Sequence, residues 1–407
     1  MNKKIHIPEI RFQNYSDNWG GKTLKDLSDS IEYGLNASAT YFDGVHKYVR
    51  ITDIDDNSRK FISEKVTSPD VEFTPELENF KLQKNDLLFA RTGASVGKTY
   101  LYEEKDGEMY YAGFLIRARI KEAVSADFIF QQTLTEKYKR FIDITSQRSG
   151  QPGVNGKEYG EWKLGIPSIQ EQSAIGSLFR ILDDLLAAYK DNLTNYQAFK
   201  ASMLSKMFPK AGQKVPEIRL AEFEGEWKQD QADKIFKPVS EKNRADLPVL
   251  SASQVDGMVL RGEIGIDIKY DETTLINYKV VRPNQFVIHL RSFQGGFALS
   301  KIEGIASPAY TIIDFIEKEK NNSEFWNCIL TSTSFIKLLE TVTYGIRDGK
   351  SISFKDFSSL KFMFPTPEEQ IAIANFFSNL DTLISSYQDK ISQLETLKKK
   401  LLQDMFI

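Results

Sequence analysis

PSIQEQSAIGSLFRILDDLLAAYKDNLTNYQAFKASMLSKMF, residues 167–208, returns without a gap as PTPEEQIAIANFFSNLDTLISSYQDKISQLETLKKKLLQDMF, residues 365–406. Pro167, Glu171, Gln172, Ala174, Ile175, Phe179, Leu182, Asp183, Leu185, Tyr189, Leu204, Met207 and Phe208 fall on Pro365, Glu369, Gln370, Ala372, Ile373, Phe377, Leu380, Asp381, Leu383, Tyr387, Leu402, Met405 and Phe406. Both stretches read as long helices. Ser168 and Thr366, each with Glu three positions on, fit a capping box. Pro367 suits the first helical position, where its missing N–H costs nothing. Pro209 stops the first helix. Inside, the apolar period is 3.5. Ile175, Leu182, Tyr189, Tyr196 and Met203 hold one heptad position; Phe179, Leu186, Leu193, Lys200 and Met207 hold the other. The second copy has Ile373, Leu380, Tyr387, Leu394 and Leu401, with Phe377, Ile384, Ile391, Lys398 and Met405. Such a seam predicts a paired coiled coil rather than two unrelated amphipathic helices on separate cores.

Working outward, a shorter doublet precedes each long segment. Ile7-Pro8-Glu9-Ile10-Arg11-Phe12 leads to Trp19, and Val215-Pro216-Glu217-Ile218-Arg219-Leu220 leads to Trp227. A repeat of about 200 residues is a duplicated domain pair, since solenoid repeats run at roughly 20–50 residues. Between these anchors, Tyr48–Ile51, Asp86–Ala90, Tyr110–Ile120, Phe286–Leu290 and Tyr310–Ile316 read as strands punctuated by Gly, Asn and Asp. Helical stretches follow around Ala126–Ile142 and Ser323–Leu339. The fold class expected is α+β, with two tandem globular domains (1–166 and 211–364) joined by two spacer helices (167–210 and 365–407).

Each helix, at roughly 39 residues, is about 58 Å long. The second globular domain must connect the end of the first helix to the start of the second. A compact unit of that size has a radius of gyration of only about 15 Å, so parallel helices would force it to stretch along the whole rod. Parallel pairing would also face Lys200 with Lys398 inside an apolar seam. The helices are therefore expected to run antiparallel, with a globular domain at each end of the rod and an approximate two-fold axis. Double-stranded DNA suits such a molecule, because its half-sites are read by two-fold related modules.

Composition bounds the function. The chain has 407 residues, 41% hydrophobic and 27% charged, with a net charge of −3. That is ordinary for a globular protein and does not advertise a polyanion partner, so any DNA surface must be local or supplied by partners. No apolar run approaches the roughly 18 residues that span a bilayer, and no signal peptide is evident. A single cysteine, Cys328, points to a reducing compartment, the cytoplasm.

With both doublets, the strand-turn Asp86-Leu87-Leu88-Phe89-Ala90-Arg91-Thr92-Gly93 and the run Gly150-Gln151-Pro152-Gly153-Val154-Asn155, the chain resembles the specificity subunit of type I restriction-modification enzymes. The resemblance covers essentially the whole chain. It implies two target recognition domains, each reading half of a bipartite, asymmetric DNA site, and helices that set the gap and bind two methyltransferase subunits. Those subunits recruit the ATP-dependent translocase and nuclease. The chain itself would be non-catalytic, with S-adenosylmethionine, ATP and Mg expected on partner subunits. The second copy departs from the pattern, having Phe293-Gln294-Gly295-Gly296 and Gly345-Ile346-Arg347-Asp348-Gly349 at the two corresponding places.

Candidate DNA contacts follow from donors placed on turns. Arg91, Thr92 and Lys98 lie on the first hairpin; Arg291, Ser292 and Gln294 occupy its equivalent. Arg can be bidentate to guanine and Gln to adenine. Arg148, Ser149 and Gln151, with Arg347 and Lys350, lie in the glycine-rich loops before the long helices, where simple surface loops are the competing reading. Several decoys fail. Gly93-Ala94-Ser95-Val96-Gly97-Lys98-Thr99 has three residues between its glycines where a phosphate loop needs four. His6, His46, His289 and Cys328 are too scattered for a zinc site. Asp53, Asp55 and Asp56 read as an acidic turn rather than a nuclease centre. No Asn-Pro-Pro-Tyr or Asp-Pro-Pro-Tyr segment for amino methylation is present. Two alternatives stand beside DNA specificity: a scaffold whose rod only joins proteins, and a nuclease in its own right.

Overall fold

The computed structural model of the chain describes residues 7–148, 150–253, 256–264, 272–289, 296–342 and 353–407. They form two compact units, Met1–Asp191 with Gln388–Ile407, and Asn192–Tyr387. Among the described residues no helix is long and apolar enough to cross a membrane.

The first unit is built on an antiparallel sheet of β1 (Ser28–Tyr33), β2 (Asp86–Ala90), β3 (Thr99–Leu101) and β4 (Leu115–Ile120), in the order β1-β4-β2-β3. Every residue of β2 is buried. Leu87 and Phe89 join one core cluster, Leu88 and Ala90 another. The two-residue side-chain period thus covers both faces of the sheet. One cover is α1 (Ala126–Gln132) with α2 (Glu136–Thr145), which supply Phe128, Ile129, Tyr138 and Ile142. The stretch expected as one helix is broken because Thr133 returns its hydroxyl to Phe130 O and Thr135 caps a new start by accepting from Tyr138 N. Likewise Tyr110–Ile120 is not one strand. Met109–Tyr111 pairs in parallel with Lys47–Val49, and the chain turns at Ala112–Phe114 before β4. The long helix α3 spans Ile169–Lys206.

The second unit repeats this plan with different residues. Strands β5 (Phe236–Val239), β6 (Phe286–Ile288), β7 (Phe297–Leu299) and β8 (Thr311–Phe315) take the order β5-β8-β6-β7. Helices α4 (Ser323–Leu330) and α5 (Thr333–Val342) replace the single expected helix, with the Ser332 hydroxyl accepting from Phe335 N at the break. The long helix α6 spans Pro367–Asp404.

In both units the long helices pair antiparallel. In the first, Asp183 meets Lys398 and Lys190 meets Glu395. In the second, Tyr196 packs on Tyr387 and Lys200 meets Asp381. Each seam lysine therefore finds an aspartate of the opposite helix, which explains why a charge is tolerated there. None of the seam positions Ile175, Phe179, Leu182, Leu186, Tyr189, Leu193, Ile373, Phe377, Leu380, Ile384, Tyr387 and Ile391 is exposed. The first of them also serve the globular cores. Ile175 and Phe179 join Met405 and Phe406, and Ile373 and Phe377 join Met207.

The openers clamp this arrangement. Arg11 donates from Nε and Nη2 to both carboxylate oxygens of Glu171, each at 2.7 Å. Arg219 does the same to Glu369 at 2.8 and 2.7 Å. The neighbouring Ile10 N donates to Asp404 O, and Ile218 N to Lys206 O. One short segment thus ties the start of one long helix to the last turn of the other. The expected capping boxes are only half made. Ser168 and Thr366 accept from the glutamate amides at 3.4 and 3.5 Å, but the carboxylates turn to arginine. Gln172 and Gln370 complete the joint. Their Nε2 groups donate to Pro167 O and Pro365 O, and their Oε1 atoms accept from Ser125 N and Asn322 N, the cap residues of α1 and α4.

Removing one partner of a buried pair leaves the other charge uncompensated. Glu171→Ala and Glu369→Ala are each expected to cost about 3–5 kcal/mol in urea unfolding, whereas Glu226→Ala, whose exposed pair with Lys214 is screened by solvent, should change stability by less than about 1 kcal/mol. Burial pushes the Cys328 thiol up to about 12. It is expected to react with a disulfide reagent at pH 7.5 far more slowly in the folded chain than after denaturation, as a chromogenic thiol assay would record.

Candidate nucleic-acid interface

The turn after β2 and the glycine-rich loop before α3 are separate in sequence and joined in space. Val154 N donates to Arg91 O at 2.9 Å, Gly93 N donates to Pro152 O at 3.0 Å, and Thr92 bridges to Gly153. Gly93 and Gly97 both adopt left-handed φ, +75° and +85°, which lets the turn close. The hairpin beneath is closed by Ala90 N to Lys98 O and Gly97 N to Ala90 O. Gln151 stands over Gly93, its Nε2 2.8 Å from where a Cβ would lie.

Arg91 is the centre of this ledge. Its amide donates to Phe114 O, its guanidinium lies 5.0 Å over the Tyr33 ring, and Nη1 reaches Gly113 O at 3.4 Å. Tyr33 in turn accepts from Gly156 N at 3.0 Å. Phe114 is 63% exposed beside it. The ledge thus presents an arginine lying over one aromatic ring, with Thr92 and Gln151 alongside and the exposed Phe114 following in the chain segment that accepts the Arg91 amide. Tyr33 and Phe114 are the partners that sequence reasoning missed. The signal available was Gly113, which ends the apolar run and turns Phe114 outward.

Two expected contacts are occupied by the fold itself. Lys98 is only 6% exposed; its ammonium donates to Ile51 O and Ile54 O at 3.2 and 2.9 Å and lies 2.6 Å from Asp56. It holds the segment 51–56 against the hairpin and has no free valence for a phosphate. Arg148 donates to Thr145 O, Gln147 O and Glu158 Oε1, closing the end of α2. Ser149, Arg291, Ser292, Gln294, Arg347 and Lys350 lie outside the described residues. In the second unit the hairpin base is seen, with His289 N donating to Gly296 O.

The acidic turn has structural work. Asp53 accepts from Arg50 Nε and Nη2, each at 2.8 Å. The Ser58 amide and hydroxyl hold Asp55 below the usual carboxylate range, and the Lys98 ammonium does the same for Asp56. Among the described residues no three His, Cys, Asp or Glu side chains gather as a metal site.

The sequence matches the family described as "Type I restriction modification DNA specificity domain" twice, over residues 16–195 and 228–396. It is 23% identical to the putative type I restriction enzyme MjaX specificity subunit of Methanocaldococcus jannaschii, covering 98% of this chain and 94% of that one. It is also 23% identical to the MjaVIII specificity subunit of the same organism, over 85% and 83% of the two chains. Among solved structures, the type I restriction-modification S subunit from M. genitalium shares the fold with a TM-score of 0.62 at 15% identity, over 98% of this chain and 99% of that one.

Because Lys98 satisfies two buried carbonyls, Lys98→Ala is expected to lower stability by about 1–3 kcal/mol in urea unfolding. An unchanged midpoint would show that the ammonium carries no structural load.

Proposed function

Since the chain belongs to the type I restriction-modification DNA specificity family, we propose that it is the non-catalytic subunit that gives such a system its target. In this reading the recognition domains, residues 1–166 and 211–364, each bind one half of a bipartite double-stranded DNA site. The long helices receive two methyltransferase subunits, and the restriction and translocase subunits join through them. S-adenosylmethionine, ATP and Mg belong to those partners, and the assembly works on cytoplasmic DNA.

The observation that carries the reading is the ledge at Arg91. Its guanidinium is preset by stacking on Tyr33 rather than by an ion pair, so its donors remain available for a guanine edge or a phosphate. Gln151 and Thr92 stand beside it with the donors and acceptors that base edges require, and Phe114 offers an apolar face. Ser149, Arg291, Ser292, Gln294, Arg347 and Lys350 are the remaining proposed contacts. Lys98 and Arg148 are omitted from direct contact because their donors are engaged within the protein. The net charge of −3 leaves most backbone neutralisation to the methyltransferase partners.

The target is to be found by mapping methylated adenines in a host with and without the chain. Fluorescence anisotropy of the chain assembled with its methyltransferase subunits should then distinguish that duplex from a scrambled one. Arg91→Ala is expected to weaken the cognate complex by about 1–3 kcal/mol while leaving scrambled binding little changed. Equal binding of both duplexes by the unaltered assembly would turn the chain into a scaffold. Discrimination unaffected by Arg91→Ala with Gln151→Ala would remove the ledge from the interface.

A further inference from the structure

Within the first unit a cleft of about 930 Å³ opens between the turn Ala94–Lys98, the segment Asp56–Lys60, α2, and the faces of α3 and α6 that carry Asp183 and Lys398. Of its seven lysines and arginines, Lys60, Lys98, Lys190 and Lys398 are ion-paired among the described residues, and Arg59, Lys139 and Lys399 are not. Lys98 pairs with Asp56, Lys398 with Asp183, and Lys190 with Glu395. Arg59 makes no side-chain hydrogen bond and no ion pair among the described residues, although it is partly buried and lines the cleft. Its backbone is left-handed, with φ at 59°. An L-residue there costs about 1–2 kcal/mol, which Asp55 offsets locally by accepting from the Asn57 and Ser58 amides and, through its carbonyl, from Arg59 N. Burial lowers the Arg59 pKa from its ordinary value against the opposing pull of Asp56, Tyr138 and Asp55, so the guanidinium is partly desolvated and no carboxylate touches it directly among the described residues.

We infer that this cleft receives an acidic side chain, Asp or Glu, from a segment of the methyltransferase subunit, with Arg59 as its bidentate anchor. The inference rests on the docking reading above and gives it a place and a chemistry. A carboxylate matches the planar fork of an arginine and would supply the direct bidentate partner that Asp56 and Asp55 do not. A protein segment fits better than DNA for two reasons. The rim mixes Glu136 and Asp143 with Lys139 and Lys399, none of them ion-paired among the described residues, so its charges are balanced and do not form the basic track that a duplex needs, where a negative charge comes every ~1.7 Å. The walls also offer Val96, Ile142, Leu186 and Leu402, suited to the apolar neighbours of a single acidic residue on an amphipathic helix.

The test measures the affinity of the full chain for its separately purified methyltransferase subunit by isothermal titration calorimetry. Arg59→Gly removes the side chain at a position whose backbone favours glycine, so the variant is expected to fold, as its melting temperature will report. It should bind about tenfold or more weakly, Arg59→Glu more weakly still, and Arg59→Lys in between. Arg244→Gly, which removes an exposed arginine of the second unit, serves as the control and should bind as the parent does. Rescue of Arg59→Glu by one acid-to-lysine change in the partner would identify the carboxylate. If the parent chain does not bind the methyltransferase subunit, the docking reading itself fails. If the parent binds and Arg59→Gly binds equally well, only the cleft inference is overturned. It is overturned too if assembly is unchanged while DNA affinity falls, because the anion would then be a phosphate.

Discussion

The buried bidentate pair between Arg11 and Glu171, repeated by Arg219 and Glu369, is the constraint on which the rest of each unit depends. Both glutamates are 1% exposed, so the arginine donors stand in for the water that each carboxylate gives up. The geometry is specific, since the fork of the guanidinium fits both carboxylate oxygens at once. Ile10 and Ile218, one residue before each arginine, bond to the far end of the opposite long helix. Pieces as distant as residues 11, 171 and 404 are thereby drawn into one joint. The two copies are not equally satisfied. Trp227 Nε1 donates to Glu369 and Arg219 Nη1 to Gly225 O, whereas Trp19 Nε1 and Arg11 Nη1 are buried without partners among the described residues.

Around that joint each core closes in the same way. Phe406 packs on Trp19, Phe128 and Phe179; Phe208 packs on Trp227, Phe325 and Phe377. The residue just beyond one long helix thus fills the space beside the first turns of the other. This couples helix pairing to the globular core, so the orientation of α1 and α2, and of the hairpin they support, is referred back to the long helices. A side chain such as Arg91, at the end of a strand buried on both faces, inherits that rigidity. Its surroundings are preset, which is what recognition by a few directional contacts requires.

Much of this plan was legible beforehand. The heptads, the doubled openers and the antiparallel direction all follow from spacing and from the cost of facing Lys200 with Lys398. Other features were misread because local signals have several outlets. Ser168 with Glu171 has the form of a capping box, yet the carboxylate is taken by an arginine 160 residues away. Lys98 follows a glycine on a turn and looks exposed, but three acceptors brought in by residues 51–56 bury it. Thr133 and Thr135 break a helix that apolar periodicity alone would continue.

What the residues determined unaided was the duplication, the long helices and their pairing, because periodicity and charge in a seam are properties of the chain read in order. The common strand order of the two domains was hidden, since many apolar combinations fill one buried sheet. Only the folded chain decided which donors are free. Arg91, Lys98 and Arg148 are equivalent as letters. They differ because Tyr33 leaves the first with open donors, while acceptors from residues 51–56 engage those of Lys98 and nearby acceptors at residues 145, 147 and 158 engage those of Arg148.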